Sequence, residues 1–171
     1  MGQPRLDLSK MRCLLADRDA FTRNLIAQML RGFGMGTIRT AGTGAEVREL
    51  AIGECPDLCL IEGALPDADA AELVAWIRRQ PAPLRFVPVI VLSGYTQLRL
   101  VTAARDAGAN LVIRKPVSPQ TLFDRLAWIA KSQRPFIEND TFLGPDRRFR
   151  DVTPPQAGFK RQTDMNVEQP K

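Results

Sequence analysis

The sequence predicts an α/β fold in which a five-stranded parallel sheet is covered by helices on both faces. Five short apolar segments alternate along the chain with five segments of helical periodicity. The apolar segments are almost continuously hydrophobic, which is typical of parallel strands buried on both faces. The 171 residues suffice for one ordinary domain with a terminal extension. We therefore predict a single doubly wound domain followed by a flexible tail.

The first half of this domain contains three predicted strands and two predicted helices. The strands are residues 11–16 (MRCLLA), 36–41 (GTIRTA) and 57–62 (DLCLIE). Asp19 can cap the first helix, whose apolar residues recur three and four positions apart. Thr43 can cap the second helix, and Gly53 is a suitable stop signal for it.

The second half repeats the alternation and then loses it. Helices are predicted at residues 68–80 and 96–109, and strands at residues 85–93 and 110–115. A last helix is predicted after Ser118-Pro119, where a serine N-cap is followed by proline at the first helical position. After Ser132 the sequence has no helical or alternating period and several prolines. We therefore assign residues 11–132 to the domain and residues 133–171 to an arginine-rich, disordered or loosely attached extension.

The composition excludes several classes of function. The chain contains no histidine, so it lacks the commonest general base and the usual zinc ligand. No apolar run approaches the roughly 18–20 residues that span a bilayer, and no secretion signal is visible. The three cysteines are expected to be reduced and to serve packing. We expect a cytoplasmic protein that is not an enzyme, has no catalytic residues or metal ligands, and is not inserted in a membrane.

Polar residues stand where four of the predicted strands end. They are Asp17, Glu62, Ser93 and Lys115. In doubly wound sheets the ligand site lies outside the carboxyl ends of the strands. These four side chains are therefore expected to form one pocket.

These residues resemble those of the CheY-like receiver domains of response regulators, which have a flavodoxin-like fold. The similarity rests on Asp17, on Glu62 followed by GALP, on Ser93, and on Lys115 followed by proline. The resemblance implies a pocket in which three carboxylates hold magnesium while an aspartate accepts a phosphoryl group.

Two residues of this pocket depart from the receiver pattern. Arg18 stands where the resemblance implies a second metal-contacting carboxylate, and Glu62 replaces the acceptor aspartate. Arg18 and Lys115 balance the charges of Asp17 and Glu62, so we expect a pocket that is neutral without magnesium. Three interpretations remain: a relic pocket that serves only the fold, a permanently active mimic, and a pocket that is still phosphorylated.

The extension contains a candidate ligand site in FLGPDRRFRD, residues 142–151. Arg148 and Asp151 have the spacing RxxD, with Asp146, Arg147 and Arg150 beside them. Arginine matches the two acceptors on one edge of guanine, and a carboxylate suits the N–H donors on the other edge. An arginine and a carboxylate three residues apart could therefore bind both edges of one guanine.

This combination is similar to the CheY-like cyclic di-GMP effectors of the Cle type. The resemblance implies that Arg147 and Arg148 contact guanine and that Asp146 and Asp151 bind its N–H edge. It further implies that Arg150 binds phosphate and that Arg114 is a secondary contact. It also implies a protein partner in the flagellar motor switch or related polar machinery, to which the protein is recruited.

Other interpretations of the chain remain open. The extension could be a solvated linker or could bind single-stranded nucleic acid. Its seven basic and six acidic residues after position 133 disfavour nucleic acid, because backbone binding gains from net positive charge. For the whole chain, the alternatives to a cyclic di-GMP effector are a conventional phospho-accepting response regulator and a ligand-independent interaction adaptor.

Overall fold

The computed structural model describes residues 6–94, 98–132 and 135–146. Its centre is a parallel sheet in the order β2-β1-β3-β4-β5. The strands are β1 (Arg12–Ala16), β2 (Thr37–Ala41), β3 (Leu58–Glu62), β4 (Val89–Ser93) and β5 (Leu111–Arg114). The helices are α1 (Ala20–Gly32), α2 (Gly44–Gly53), α3 (Ala70–Arg78), α4 (Leu98–Asp106) and α5 (Pro119–Lys131). This arrangement confirms the predicted doubly wound fold.

The two faces of the sheet bury separate apolar clusters because alternate residues of each strand point to opposite sides. In β3, Leu58 and Leu60 belong to the cluster formed with α1 and α5. Cys59 and Ile61 belong to the cluster formed with α2, α3 and α4. Cys59 is a free, buried thiol, and burial raises its pKa to about 12, in keeping with a packing role.

Capping side chains and a proline determine where several helices and one strand begin. The side chains of Asp19, Thr43 and Ser118 cap α1, α2 and α5 as predicted. Helix α3 begins at Ala70 rather than at residue 68, because Asp69 and Glu72 form a capping box there. The predicted strand 85–93 is wrong at its start: Leu84–Phe86 form a 3₁₀ turn, and Pro88 cannot donate to a strand ladder.

The extension begins with a β-hairpin, so the predicted absence of regular structure is wrong for residues 136–145. Strand β6 (Phe136–Asn139) pairs antiparallel with β7 (Phe142–Pro145). Asn139 Oδ1 closes the turn by accepting from the backbone N–H groups of Thr141 and Phe142. Strands of four residues are too short to show periodicity in the sequence. Residues 147–171 lie outside the described residues.

Candidate functional site

The carboxyl edge of the sheet gathers the polar residues that the sequence singled out. Asp17 follows β1, Glu62 ends β3, Ser93 ends β4 and Lys115 follows β5. Asp17, Glu62 and Ser93 are buried. A parallel sheet places the ends of its strands at one edge, and the order of strands puts β1, β3, β4 and β5 side by side. The structure therefore brings the predicted pocket together.

Lys115 supplies the positive charge at the centre of this pocket. Its Nζ contacts Asp17 Oδ2 and lies 3.3 Å from Glu62 Oε1. Its backbone N–H donates to the carbonyl of Ser93 at 2.9 Å, which fixes the chain where the side chain departs. Asp17 is completely buried, and Glu62 is 8% exposed. Buried charges require partners, and one ammonium group here serves two carboxylates.

Glu62 is also held by the residue that follows Asp17. The backbone N–H of Arg18 donates to Glu62 Oε2 at 2.8 Å, and Arg18 Nε lies 3.6 Å from Oε1. Both carboxylate oxygens of Glu62 are therefore engaged by the protein. Glutamate is one methylene longer than aspartate, and this length carries the carboxylate from the end of β3 to the loop after β1.

Asp19 acts as a helix cap rather than as a member of the pocket. Its Oδ1 accepts from the backbone N–H of Thr22 at 2.7 Å, at the start of α1. This hydrogen bond, with smaller contributions from the charges of Lys115 and Arg23, holds the pKa of Asp19 below its ordinary value. The backbone N–H of Asp19 donates to Asp17 Oδ1, which leaves Asp17 engaged through both oxygens.

This donor set does not suit the magnesium ion that the receiver resemblance implies. Magnesium takes a near-octahedral shell of oxygens, of which one or two are carboxylates. Here the carboxylates of Asp17 and Glu62 already bind Lys115 and Arg18, and cations beside them oppose a further one. Within the three described ranges, no group of three or more Asp, Glu, Cys or His side chains is placed to hold a metal.

The loop after Glu62 is fixed by a contact that sequence reasoning missed. Asp67 accepts from the backbone N–H groups of Gly44 and Ala45, at 2.6 and 2.9 Å, where α2 begins. These bonds hold the pKa of Asp67 below its ordinary value. A Cβ on Gly44 would lie 2.8 Å from the Cβ of Ala68, so glycine permits the close approach. No signal in the sequence pairs residues 44 and 67, which are brought together only by the fold.

A buried arginine at the other end of the sheet was also missed. Arg78 is 4% exposed and ends α3. Its guanidinium makes five hydrogen bonds, all to neutral acceptors: two to the carbonyl of Gly108, one each to the carbonyls of Arg85 and Val87, and one to Asn110 Oδ1. Desolvation lowers the pKa of Arg78 to about 10. The group joins α3 to the turns that precede β4 and β5.

Most of the predicted nucleotide contacts follow the hairpin in the sequence. Arg147, Arg148, Arg150 and Asp151 lie outside the described residues. Asp146 is at the base of the hairpin, where its backbone N–H donates to the carbonyl of Pro135 at 2.8 Å.

The structure does not bring Arg114 and Asp146 together. Arg114 is exposed at the carboxyl end of β5. The hairpin that ends at Asp146 contacts Gly108, before the amino end of the same strand. Arg114 therefore belongs to the pocket end of the sheet, and Asp146 belongs to the opposite end.

Comparisons with known proteins agree with this architecture. The transcriptional regulatory protein PdtaR of Mycobacterium tuberculosis is 37% identical over 107 residues, which are 63% of this chain and 50% of PdtaR. The chain thus matches only about half the length of this curated relative. A CheY-like receiver domain protein from Methanospirillum hungatei superimposes with a TM-score of 0.63 at 28% identity, covering 68% of this chain and 90% of that one.

A third relative was solved with a metal. It is the receiver domain of a sensor histidine kinase from Pseudomonas aeruginosa, with magnesium coordinated in its active-site cleft. It is 25% identical, has a TM-score of 0.65, and covers 71% of this chain and 98% of that one.

The family model for the response regulator receiver domain matches residues 13–127. This range begins in β1, ends in α5 and includes every residue of the pocket at the carboxyl edge. No helix within the described residues has the length and apolarity needed to cross a membrane. The sequence match, the strand order and the position of the pocket agree, and the chain belongs to the response regulator receiver domain family.

Proposed function

We propose that this chain is a non-enzymatic signalling effector that responds to cyclic di-GMP instead of phosphorylation and acts by ligand-controlled protein interaction. The observation that carries the proposal is the position of Glu62, whose carboxylate accepts from the backbone N–H of Arg18 and lies beside the side chains of both Arg18 and Lys115. Arg18 and Lys115 together balance the charges of Asp17 and Glu62, so a signal other than phosphorylation has to reach the protein elsewhere. The arginine-rich segment after the hairpin is the candidate for that source.

The proposed loss of phosphorylation follows from the position of Glu62. Phosphoryl transfer needs a nucleophilic oxygen aligned with the reacting phosphorus and cations that neutralise the developing charge. One oxygen of Glu62 accepts the N–H of Arg18, and the other faces Lys115. These partners withdraw electron density from both oxygens and hold the carboxylate toward the loop after β1, which lowers its reactivity toward phosphorus.

The proposed ligand site consists of Asp146, Arg147, Arg148, Arg150 and Asp151, with cyclic di-GMP as the ligand. Arginine and carboxylate side chains suit the two edges of guanine, and the remaining arginine suits phosphate. Asp146 is tied to Pro135 by a backbone hydrogen bond, so the segment that follows departs from a fixed point on the domain. Arg114, at the other end of β5, joins this site only if the segment returns along the domain.

The resemblance to Cle-type effectors supports a cytoplasmic protein that associates with the flagellar motor switch or related polar machinery. In this proposal the ligand orders residues of the extension and so creates or completes the surface that the partner binds. Ordering a flexible segment costs about 2–5 kcal/mol, and several charge-assisted hydrogen bonds of about 1.5–3 kcal/mol each can offset that cost.

Calorimetric titration with cyclic di-GMP tests the ligand directly. We expect the wild-type chain to bind and the Asp151→Ala variant to lose most of the binding heat. Glu168→Ala removes the same charge from the same extension at a position with no arginine three residues before it, and it is the matched control. Equal binding heats for Asp151→Ala and wild type would contradict the proposed site. The absence of binding heat from wild type would contradict cyclic di-GMP as the ligand.

Conventional phosphorylation is the second candidate function, and the retention of Asp17, Ser93 and Lys115 favours it. The related Pseudomonas aeruginosa receiver domain holds magnesium in its cleft. Incubation with acetyl phosphate and magnesium, followed by intact mass measurement, separates the two candidates. We expect no stable gain of a phosphoryl group, whereas an acyl phosphate mapped to Glu62 would establish the conventional function.

A further inference from the structure

The β6–β7 hairpin is docked on the domain by a backbone contact that depends on two glycines. A Cβ on Gly108 would lie 2.3 Å from the carbonyl oxygen of Leu143, and a Cβ on Gly144 would lie 2.9 Å from the Cα of Gly108. Gly108 also has a φ of +107°, which glycine adopts without strain. The hairpin and the turn before β5 therefore touch main chain to main chain.

Aromatic contacts add to this backbone contact. The ring of Phe136 lies over the guanidinium of Arg78, with its centroid 5.0 Å from Cζ. Phe86 meets the same ring edge-on at a centroid distance of 5.6 Å. The five hydrogen bonds of Arg78 all go to acceptors of the receiver domain, none of them in the hairpin. Removal of the hairpin would leave this network intact and would hydrate one face of the guanidinium.

The rest of the hairpin contact is weak. The ion pair between Arg85 and Glu138 is exposed on the Glu138 side, where 61% of the side chain is accessible, and such pairs add little stability. A cavity of about 90 Å³ lies between the hairpin and α5, lined in part by Trp128, Ile129 and Phe136. This cleft is open to solvent, so the hairpin does not form a close-packed contact with α5 there.

We propose that the β6–β7 hairpin is a releasable cap on the amino ends of β4 and β5. The cap opens as a unit while the five-stranded domain stays folded. Opening exposes one face of Arg78, more of Phe86, and the side chain of Trp128. Together these three residues form an aromatic and cationic surface that suits an acidic protein partner. The hairpin ends at Asp146, so ligand capture by the following segment would act on the cap. That last step rests on the proposed function, and the opening itself does not.

Amide hydrogen exchange of the whole chain without nucleotide tests the cap. In the wild type we expect residues 136–145 to exchange through a lower-energy opening than β4 and β5. A Cβ at position 144 would lie 2.9 Å from the Cα of Gly108 and 2.5 Å from the ring of Phe142, so Gly144→Ala is made both in the wild type and in a Phe142→Ala background, where the clash with Gly108 remains. In both backgrounds Gly144→Ala should raise exchange across residues 136–145 at least about tenfold, which corresponds to about 1.4 kcal/mol. Gly53→Ala is the control, because a Cβ there meets nothing within 4 Å.

Tryptophan fluorescence provides a second measure in a Trp76→Phe background, where Trp128 is the remaining tryptophan. Trp128 is 7% exposed, and opening should shift its emission to the red in Gly144→Ala but not in Gly53→Ala. Loss of protection in β4 and β5 together with the hairpin would show that the hairpin is an integral part of the fold. Unchanged exchange in Gly144→Ala would show that the glycine contact does not hold it. Either result would overturn the proposal that the hairpin is a releasable cap.

Discussion

Lys115 Nζ lies 3.3 Å from Glu62 Oε1, and the same ammonium group contacts the buried carboxylate of Asp17. The side chain of Lys115 is 17% exposed, and that of Glu62 is 10% exposed, so water screens this interaction weakly. One cation fixed by the chain thus contacts the carboxylates at two strand ends, and Arg18 supplies the second positive charge beside Glu62. The stability of the carboxyl edge should depend on Lys115 more than on any surface lysine.

We expect Lys115→Met to destabilise the domain by about 3–5 kcal/mol, the usual effect of removing one partner from a buried ion pair. Asp17 and Glu62 would remain buried without their shared cation. Urea denaturation followed by far-UV circular dichroism measures the change. Lys131→Met, at the exposed end of α5, is the control and should change the free energy of unfolding by less than about 1 kcal/mol. Equal losses in both variants would mean that the buried ion pairs add nothing specific.

Arg18→Asp should turn the pocket into a magnesium site. The substitution removes a cation beside Glu62 and adds a carboxylate next to Asp17, so three carboxylates would face the single charge of Lys115 and the pocket would attract a divalent cation. We expect the thermal midpoint of Arg18→Asp to rise with added magnesium, since ligand at 100 times its Kd stabilises a protein by about 2.7 kcal/mol. The wild-type midpoint should not respond to magnesium beyond the general effect of ionic strength.

The matched control is Arg31→Asp, which makes the same charge change at the far end of α1. Its midpoint should behave like that of the wild type. A strong magnesium response from the wild-type chain would contradict the electrostatic account of the pocket.

The sequence predicted the carboxyl-edge pocket because strand topology determines it. Once β1, β3, β4 and β5 are recognised as parallel, the residues that end them must share one edge. The contact of Asp67 with α2 and the five bonds of Arg78 depend instead on where loops from distant parts of the chain meet. A polar residue in a loop carries no local periodicity, so its partner cannot be inferred before the fold is known.

The β6–β7 hairpin could not be predicted from the sequence for a similar reason. Its two strands have four residues each and contain Gly144 and Pro145, which disfavour strands in general. Contacts with Gly108 and Arg78 support it from outside, and these tertiary contacts outweigh local propensity.

Arg78→Lys should be strongly destabilising although it keeps the charge. A lysine ammonium has three donors, so at least two of the five bonds made by the guanidinium would be lost. Each buried acceptor left without a donor costs about 1–3 kcal/mol. The control is Arg79→Lys, at the neighbouring exposed position, which should be nearly neutral. Urea midpoints of the two variants decide the comparison, and similar midpoints would show that water replaces the lost bonds.

Asp67→Asn should change the acid dependence of stability in a defined window. The pKa of Asp67 is lowered from its ordinary value of 3.8, chiefly by the N–H groups of Gly44 and Ala45. A carboxylate whose pKa is lower in the folded chain stabilises the fold at pH values above the unfolded pKa, and this contribution disappears as pH falls through the folded pKa. Wild type should therefore be more stable than Asp67→Asn at pH 7, and the two should converge below about pH 3.8.

Thermal midpoints of wild type and Asp67→Asn, measured from pH 7 down to pH 2, test this convergence. Other carboxylates, including those of Asp19 and Asp57, also have lowered pKa values, so both curves will fall in acid and only their difference reports Asp67. Asp140→Asn, in the exposed turn of the hairpin, removes the same charge away from any helix start and should give a difference that is small throughout. A gap between wild type and Asp67→Asn that stays constant from pH 7 to pH 2 would show that the carboxylate charge is not what ties the loop after Glu62 to α2.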